Sequence, residues 1–290
     1  MPYNPAMVSS SGPIDVADAP LTADLAGLNA RHAAAAEAAR LGGEILLSWA
    51  ERFTAREKSP ANLVTEADYA SQRAIFDLLR GRFPNDRFVG EEDLPETDDE
   101  PSEAAFVWYV DPLDGTGNYV HGFPYYAVSI GLAFRGSLHS GHIYDPTRDE
   151  LFAGLVGGGA YKNGQPIAVS DCPQLGEALC MASLPIATDP DGTAMRRFLG
   201  VAPQAQTVQR TGSAALNLAN VACGRVDAFW STSLMPWDMA AGAVLVREAG
   251  GQVTACDGGL FDLLSRDLLA TGCGAARGEL IAALQNAGDA

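Results

Sequence analysis

Two aspartates follow the apolar segment 106–110 (FVWYV), where the sequence reads DPLDGT over residues 111–116. The apolar run predicts a buried strand, and carboxylates placed directly after it, Asp111 and Asp114, are aimed at one point above the end of the sheet. The next two residues begin a predicted helix, whose first N–H groups attract an anion. Because carboxylate oxygens suit a hard divalent cation, the segment indicates metal-assisted chemistry on a phosphate ester.

Three further acidic positions occur near predicted element ends. Glu91 follows the short apolar run 88–90, Asp68 lies at the start of a predicted helix, and Asp238 directly follows Trp237. Taken one at a time, each has an ordinary explanation. Glu91 alone reads as a loop carboxylate, Asp68 as a first-turn partner of the helix dipole, and Asp238 as a helix N-cap.

Taken together, the acidic segments occur in an order that resembles the inositol monophosphatase family of metal-dependent, lithium-sensitive phosphatases. The segments are LVTEAD (63–68), GEE (90–92), DPLDGT (111–116), RTGSAALN (210–217) and PWDMAAG (236–242). The resemblance runs from about residue 24 to 285. It implies a Mg²⁺-dependent phosphomonoesterase that hydrolyses its ester with metal-activated water, with inositol 1-phosphate as the leading substrate.

Other functions on the same scaffold stay open at this point. They are histidinol-phosphate phosphatase, fructose-1,6-bisphosphatase and nucleotide 3′-phosphatase. A protein of another class, a non-catalytic binding or regulatory protein, is also possible on this fold. The intact set of acidic residues argues against it, because a pure binder need not keep every ligand.

The resemblance also implies roles for individual residues. Two or three Mg²⁺ ions would be held by side-chain carboxylates and one backbone carbonyl, from Glu91, Asp111, Leu113, Asp114 and Asp238. Glu91 and Thr116 would orient and deprotonate the attacking water, and Asp68 would hydrogen-bond Thr116. The predicted substrate-binding residues are Asp114, Gly115, Thr116, Gly212, Ser213, Ala214 and Ser231.

Ser231 marks a departure from the family pattern. In inositol-specific relatives, a glutamate that binds sugar hydroxyls lies seven residues before the aspartate that follows tryptophan; here that position is Ser231. A shorter, neutral side chain loses a charge-assisted hydrogen bond. The departure predicts a weaker preference for inositol and leaves the phosphatase chemistry intact.

Charge and composition limit the partners. The formal net charge of −17 lacks the basic footprint of a nucleic-acid-binding protein. Cations bound by clustered carboxylates would make the electrostatic potential locally positive, which suits an anionic substrate.

No apolar stretch approaches the length of about 20 residues that crosses a bilayer, so no membrane association is expected. Five cysteines without a CxxC pair predict reduced thiols in a cytoplasmic protein. The resemblance further implies a homodimer.

The helices and strands predicted to position these residues indicate a mixed α+β and α/β fold. Residues 1–22 predict a disordered tail, 23–168 an N-terminal α+β half that carries the metal site, and 169–290 a C-terminal α/β half. The resemblance implies that these elements form a layered αβαβα sandwich of the inositol monophosphatase and fructose-1,6-bisphosphatase type. Periodicity predicts helices over 23–53 and 66–81, joined by a polar, mobile loop over 54–62.

Overall fold

The computed structural model describes residues 13–19, 24–50, 52, 54–59, 62–92 and 105–288. Its first half contains two long helices, α1 (Leu25–Trp49) and α2 (Glu66–Arg82). The buried side of α1 consists mainly of alanines. Near the C-terminal end of α1, Gly43 allows close packing, because a Cβ there would lie 2.5 Å from the Tyr144 ring. Both helices therefore pack tightly against the sheet beneath them.

The larger sheet has eight strands and provides the framework for the acidic segments. Seven of them follow the order β10–β9–β8–β7–β6–β5–β4, and β1 pairs in parallel with β7. The pairs from β5 to β10 are antiparallel, whereas β4 runs parallel to β5. The strands are β1 (Asp15–Val16), β4 (Arg87–Gly90), β5 (Phe106–Asp114), β6 (Ala127–Phe134), β7 (Ser137–Asp145), β8 (Glu150–Leu155), β9 (Gly159–Lys162) and β10 (Gln165–Pro166).

The smaller sheet has five strands in the order β12–β11–β13–β15–β14. They are β11 (Leu179–Ala182), β12 (Thr207–Gln209), β13 (Ala228–Ser231), β14 (Gln252–Thr254) and β15 (Leu268–Thr271). The helices of this part are α4 (Thr193–Val201), α5 (Ala214–Ala222), α6 (Pro236–Glu248) and α7 (Ala276–Gly288). A short helix, α3 (Thr116–Val120), follows β5 in the first half.

Three apolar clusters show that the elements form five layers. One cluster joins α1 and α2 to the larger sheet, a second surrounds α5 and α6 between the two sheets, and a third joins α4 and α7 to the smaller sheet. Close approach of α6 to the larger sheet depends on glycine, because a Cβ on Gly131 would lie 2.5 Å from the Ala240 Cβ. The predicted layered αβαβα fold is confirmed, and α6 packs on the sheet of the first half.

Two sequence predictions are corrected. Part of the predicted disordered tail is ordered: β1 pairs with β7, and Ile14 and Val16 are buried in the apolar cluster between the two sheets. Residues 1–12 and 20–22 lie outside the described residues. In the segment predicted as a loop over 54–62, β2 (Ala55–Ser59) pairs antiparallel with β3 (Asn62–Thr65), and this backbone pairing overrides the polar composition. Residues 60 and 61 lie outside the described residues.

Candidate active site

Three aspartates converge where β5 ends and α6 begins. One carboxylate oxygen from each of Asp111, Asp114 and Asp238 lies within 4.8 Å of the others. In a regular strand, residues three apart point to opposite faces. Here β5 carries one extra residue, since Asp111 pairs with Ser129 but Asp114 pairs with Ala127. This bulge brings both β5 carboxylates into one cluster.

Burial and mutual repulsion dominate the electrostatics of this three-aspartate cluster. Desolvation, followed by neighbouring carboxylates, raises the pKa of Asp111 and Asp238 well above the ordinary value. Burial raises the pKa of Asp114 to about 6, against the opposing effect of three hydrogen bonds. A divalent cation would relieve this repulsion, and an all-oxygen donor set fits Mg²⁺.

Asp114 is bound to the start of α5, which ties the two halves together. Its carboxylate accepts hydrogen bonds from the Ser213 hydroxyl, from the Ala214 N–H at 3.2 Å and from the Ala215 N–H at 2.7 Å. The Ser213 hydroxyl also accepts the Leu216 N–H at 3.2 Å, as an N-cap does. Ser213 and Ala214 therefore orient a candidate metal ligand, a role that the sequence analysis did not assign to them.

Glu91 lies beside the three-aspartate cluster, at the end of β4. Its N–H donates to the Val110 carbonyl at 3.1 Å, which continues the parallel pairing of β4 and β5 by one residue. The charge of Glu91 contributes to the raised pKa of each of the three clustered aspartates. The structure thus places the GEE segment next to the DPLDGT segment.

Thr116 connects the end of β5 to α2. Its hydroxyl lies 3.1 Å from the Asp68 carboxylate and 3.1 Å from the Leu113 carbonyl, and both are acceptors. The preceding Gly115 has a φ of +100°, a conformation that favours glycine, and a Cβ there would lie 3.0 Å from the Tyr125 carbonyl oxygen. The predicted helix start is present, although α3 spans only five residues.

Asp68 and Asp238 both occupy the third position of a helix. Asp68 accepts the Thr65 N–H at 2.8 Å, and Asp238 accepts the Met235 N–H at 2.8 Å. The reading of Asp238 as an N-cap is therefore wrong by three residues, because Met235 precedes the first turn and Pro236 begins it. Asp238 nevertheless has a capping function for the start of α6.

Ser231 is buried at the end of β13. Its side chain has 0% exposure, and its hydroxyl lies 3.4 Å from the Ser233 N–H nitrogen. The substrate contact predicted for Ser231 stays a prediction, which would require the end of β13 to become accessible to the substrate. Gly212 precedes α5 with a φ of +87°, beside the Asn118 amide.

One supporting residue carries no sequence signal. The Ser129 hydroxyl donates to the Trp237 carbonyl at 3.1 Å and so fixes the residue before Asp238. A single buried serine in an apolar strand cannot be recognised as such from sequence. Ser213 did have a signal, because serine directly before a predicted helix favours the N-cap position.

Comparison with known proteins places the chain among phosphatases of one family. A family model described as the inositol monophosphatase family matches residues 29–289. "Inositol monophosphatase 3" of Solanum lycopersicum is 42% identical over 247 residues, which cover 82% of this chain and 90% of the relative. The "Nus factor SuhB" of Pseudomonas aeruginosa is 39% identical over 76% of this chain and 83% of the relative.

A solved structure agrees in fold. The crystal structure of the extragenic suppressor protein suhB from Bartonella henselae superposes with a TM-score of 0.81. It is 35% identical in sequence and covers 87% of this chain and 97% of that chain. The layered arrangement and the sequence similarity therefore point to the same family.

Proposed function

Since this chain belongs to the inositol monophosphatase family and is a phosphoric monoester hydrolase, we propose that it hydrolyses inositol 1-phosphate with Mg²⁺. The observation that carries the proposal is the convergence of three aspartate carboxylates within 4.8 Å at the end of β5. Clustered, buried carboxylates are unfavourable without a cation. Their convergence therefore indicates a site that binds a cation in the working hydrolase.

The proposed metal ligands are oxygen atoms that the fold brings to one place. Two or three Mg²⁺ ions would be held by the carboxylates of Glu91, Asp111, Asp114 and Asp238 and the Leu113 carbonyl. When bound, the ions would supply the positive charge that stabilises the entering and leaving oxygens of an in-line displacement. The Leu113 carbonyl oxygen lies 3.1 Å from the Thr116 hydroxyl oxygen, so it faces this region.

The chain's own residues would hold and move the proton of the attacking water. With its hydroxyl hydrogen directed to Asp68, the Thr116 oxygen keeps a lone pair that accepts a hydrogen bond from water. Glu91 would take the water proton as general base. The N–H groups of Gly115 and Thr116 would bind phosphate oxygens, because the first turn of a helix supplies no acceptors for them.

The alcohol end of the substrate would meet Asp114 and the backbone around Gly212. Ser213 and Ala214 would act there through Asp114, whose orientation they fix. Without an acidic side chain at position 231, discrimination among sugar phosphates rests on this smaller set. Histidinol phosphate, fructose 1,6-bisphosphate and nucleotide 3′-phosphates are accordingly the competing substrates.

Turnover measurements test the proposal directly. We expect no hydrolysis of inositol 1-phosphate in excess chelator, recovery on addition of Mg²⁺, and inhibition by Li⁺. The same assay with the three competing esters ranks them by kcat/KM. Full activity in chelator would contradict the metal proposal, and a higher kcat/KM for another ester would replace inositol 1-phosphate as the substrate.

A regulatory binding role is the second candidate, favoured by the relative named a Nus factor at 39% identity. A binding role would survive loss of the metal ligands, whereas hydrolysis would not. Suppose that Asp111→Asn abolishes turnover but still restores normal growth to cells that lack this protein. The binding role is then the relevant one. The net charge of −17 makes a protein partner a better fit than nucleic acid.

Assembly and location complete the proposal. We propose a homodimer, which light scattering coupled to size-exclusion chromatography checks as a mass of twice the 30.4 kDa chain. We propose a cytoplasmic location, supported by five free cysteines. Cell fractionation tests it. Among the described helices, none has the length and apolar character needed to span a membrane.

A further inference from the structure

Three side chains of α2 contact two separate segments of the site, DPLDGT and GEE. Asp68, Ser71 and Gln72 lie at positions i, i+3 and i+4, so they share one face of the helix. Each of these side chains has 0% exposure. Asp68 contacts Thr116, as described above, which leaves the roles of Ser71 and Gln72 to be explained.

Ser71 contacts the backbone of the DPLDGT segment. Its hydroxyl donates to the Pro112 carbonyl at 3.1 Å, between the two aspartates of β5. Space for this serine comes from α1, since a Cβ on Gly42 would lie 2.9 Å from the Ser71 hydroxyl oxygen. The contact fixes the bulge that brings Asp111 and Asp114 together.

Gln72 binds the backbone next to Glu91 with both ends of its amide. Its Nε2 donates to the Glu92 carbonyl at 2.8 Å, and its Oε1 accepts the Glu92 N–H at 3.0 Å. This reciprocal pair has the form that a neighbouring strand offers in a sheet. The amide also packs flat on Gly90, where a Cβ would lie 2.5 Å from Oε1.

Glu91 is thereby held on both sides. Its own N–H donates to Val110 of β5, and the next residue is clamped by Gln72 of α2. Since β4 is the last strand of the larger sheet on this side, no strand among the described residues pairs with it opposite β5. The Gln72 side chain takes the place of such a strand.

We propose that Gln72 is a positioning residue of the active site: through Glu92 it sets the Glu91 carboxylate against the three-aspartate cluster, while Ser71 sets the bulge from the same helix face. The inference rests on the proposed metal-dependent function. Residues that orient metal ligands typically change metal affinity or activity by about 10–100-fold when altered, which sets the expected scale.

Gln72→Met tests this, because methionine keeps the length of the side chain and removes both hydrogen bonds. We expect the Kd of Mg²⁺, measured by titration calorimetry on metal-free protein, to rise about tenfold and kcat to fall. KM should change less than kcat, since the phosphate contacts at Gly115 and Thr116 stay in place. Gln72→Leu removes the same two hydrogen bonds without adding a charge, so it should raise the Mg²⁺ Kd by a similar factor.

Two control variants separate positioning from general stability. Ile75→Val and Leu79→Ala remove buried apolar volume from the same helix without touching the site segments. They should lower Tm while leaving the Mg²⁺ Kd within about twofold of the unaltered enzyme. If Gln72→Met is too unstable to purify, Gln72→Leu against the same controls provides the measurement.

The outcomes distinguish failure of the positioning role of Gln72 from failure of the proposed metal-dependent hydrolysis. If the unaltered enzyme neither binds Mg²⁺ nor hydrolyses phosphate esters, the proposed function fails. If it does both, but the Gln72 variants show a Mg²⁺ Kd no different from that of the Ile75 and Leu79 controls, only the positioning role is overturned. A raised Kd in the Gln72 variants alone supports it.

Discussion

The starts of α2 and α6 are locally alike and chemically different. Each has an aspartate at the third helical position that accepts the N–H of the residue before the helix, Asp68 from Thr65 and Asp238 from Met235, both at 2.8 Å. Asp68 also accepts hydroxyl hydrogen bonds from Thr65 at 2.6 Å and Thr116 at 3.1 Å. Asp238 instead faces the carboxylates of Asp111 and Asp114.

This difference separates a positioning carboxylate from a candidate metal ligand. Hydrogen-bond donors on both oxygens satisfy Asp68, so it can hold Thr116 without a cation. Desolvation and the neighbouring carboxylates raise the pKa of Asp238 well above its ordinary value. The same capping geometry thus serves two purposes, and the neighbours from other elements decide which one applies.

Asp238→Asn should produce the largest effect on catalysis. The amide keeps the size of the side chain and an acceptor for Met235 but removes one charge from the proposed metal site. We expect kcat to fall by at least about 10²-fold. Glu91→Gln should behave alike. The exposed Asp77→Asn on α2 is the matched control, and near-normal kcat in Asp238→Asn would reduce this residue to a helix cap.

Asp68→Asn should lower kcat by about 10-fold, through Thr116 rather than through the metal. An amide in place of the carboxylate weakens the hold on the Thr116 hydroxyl but leaves the three-aspartate cluster unchanged. The Mg²⁺ Kd from titration calorimetry should therefore stay close to that of the unaltered enzyme. A Kd that rises as much as in Asp238→Asn would erase the distinction between the two helix starts.

Stability in chelator should depend on pH in a way that Mg²⁺ removes. Burial raises the pKa of Asp114 to about 6, above its unfolded value of about 4, so the protonated carboxyl favours the folded state. This contribution is complete below the unfolded pKa and is lost as the pH rises through the folded pKa. Mg²⁺ should therefore raise Tm more at about pH 8 than at about pH 5.

Asp238→Asn sharpens the stability measurement. Removing one of the clustered charges should reduce the loss of Tm with rising pH in chelator, whereas Asp68→Asn should not. Thermal unfolding followed by circular dichroism measures both variants. Equal Mg²⁺-induced shifts of Tm at the two pH values would contradict the repulsion inferred for the cluster.

Ser213→Ala should cost about 1 kcal/mol of unfolding free energy, the usual effect of removing an N-cap. The change also removes one of the three donors to Asp114, so kcat should fall in addition. Denaturant unfolding and steady-state kinetics measure the two effects. Loss of stability without loss of activity would restrict Ser213 to capping α5.

Ser231→Ala should have the smallest effect. The buried hydroxyl lies near Ser233 and has no exposed surface, so the ratio of kcat/KM between inositol 1-phosphate and glycerol 2-phosphate should change by less than about twofold. A larger change in this ratio would support the predicted contact of Ser231 with the substrate, with β13 opening when substrate binds.

The sequence by itself determined most elements and the identity of the acidic segments. The apolar run before Asp111 predicts β5, threonine before Glu66 predicts the start of α2, and serine before Ala214 suits the start of α5. These signals are local, because strand burial and helix capping depend on neighbours within a few residues. The order of the acidic segments gave the family, which the comparisons confirm, while the individual catalytic roles remain predictions.

Only the tertiary structure decided how these segments meet. The bulge in β5 places Asp111 and Asp114 on one side, the start of α5 binds Asp114, and α2 reaches the backbone at Glu92 through Gln72. Each contact joins residues at least 20 positions apart or depends on strand register, and local periodicity carries no record of either. Burial of Ser231 likewise follows from packing between layers, which no local sequence signal records.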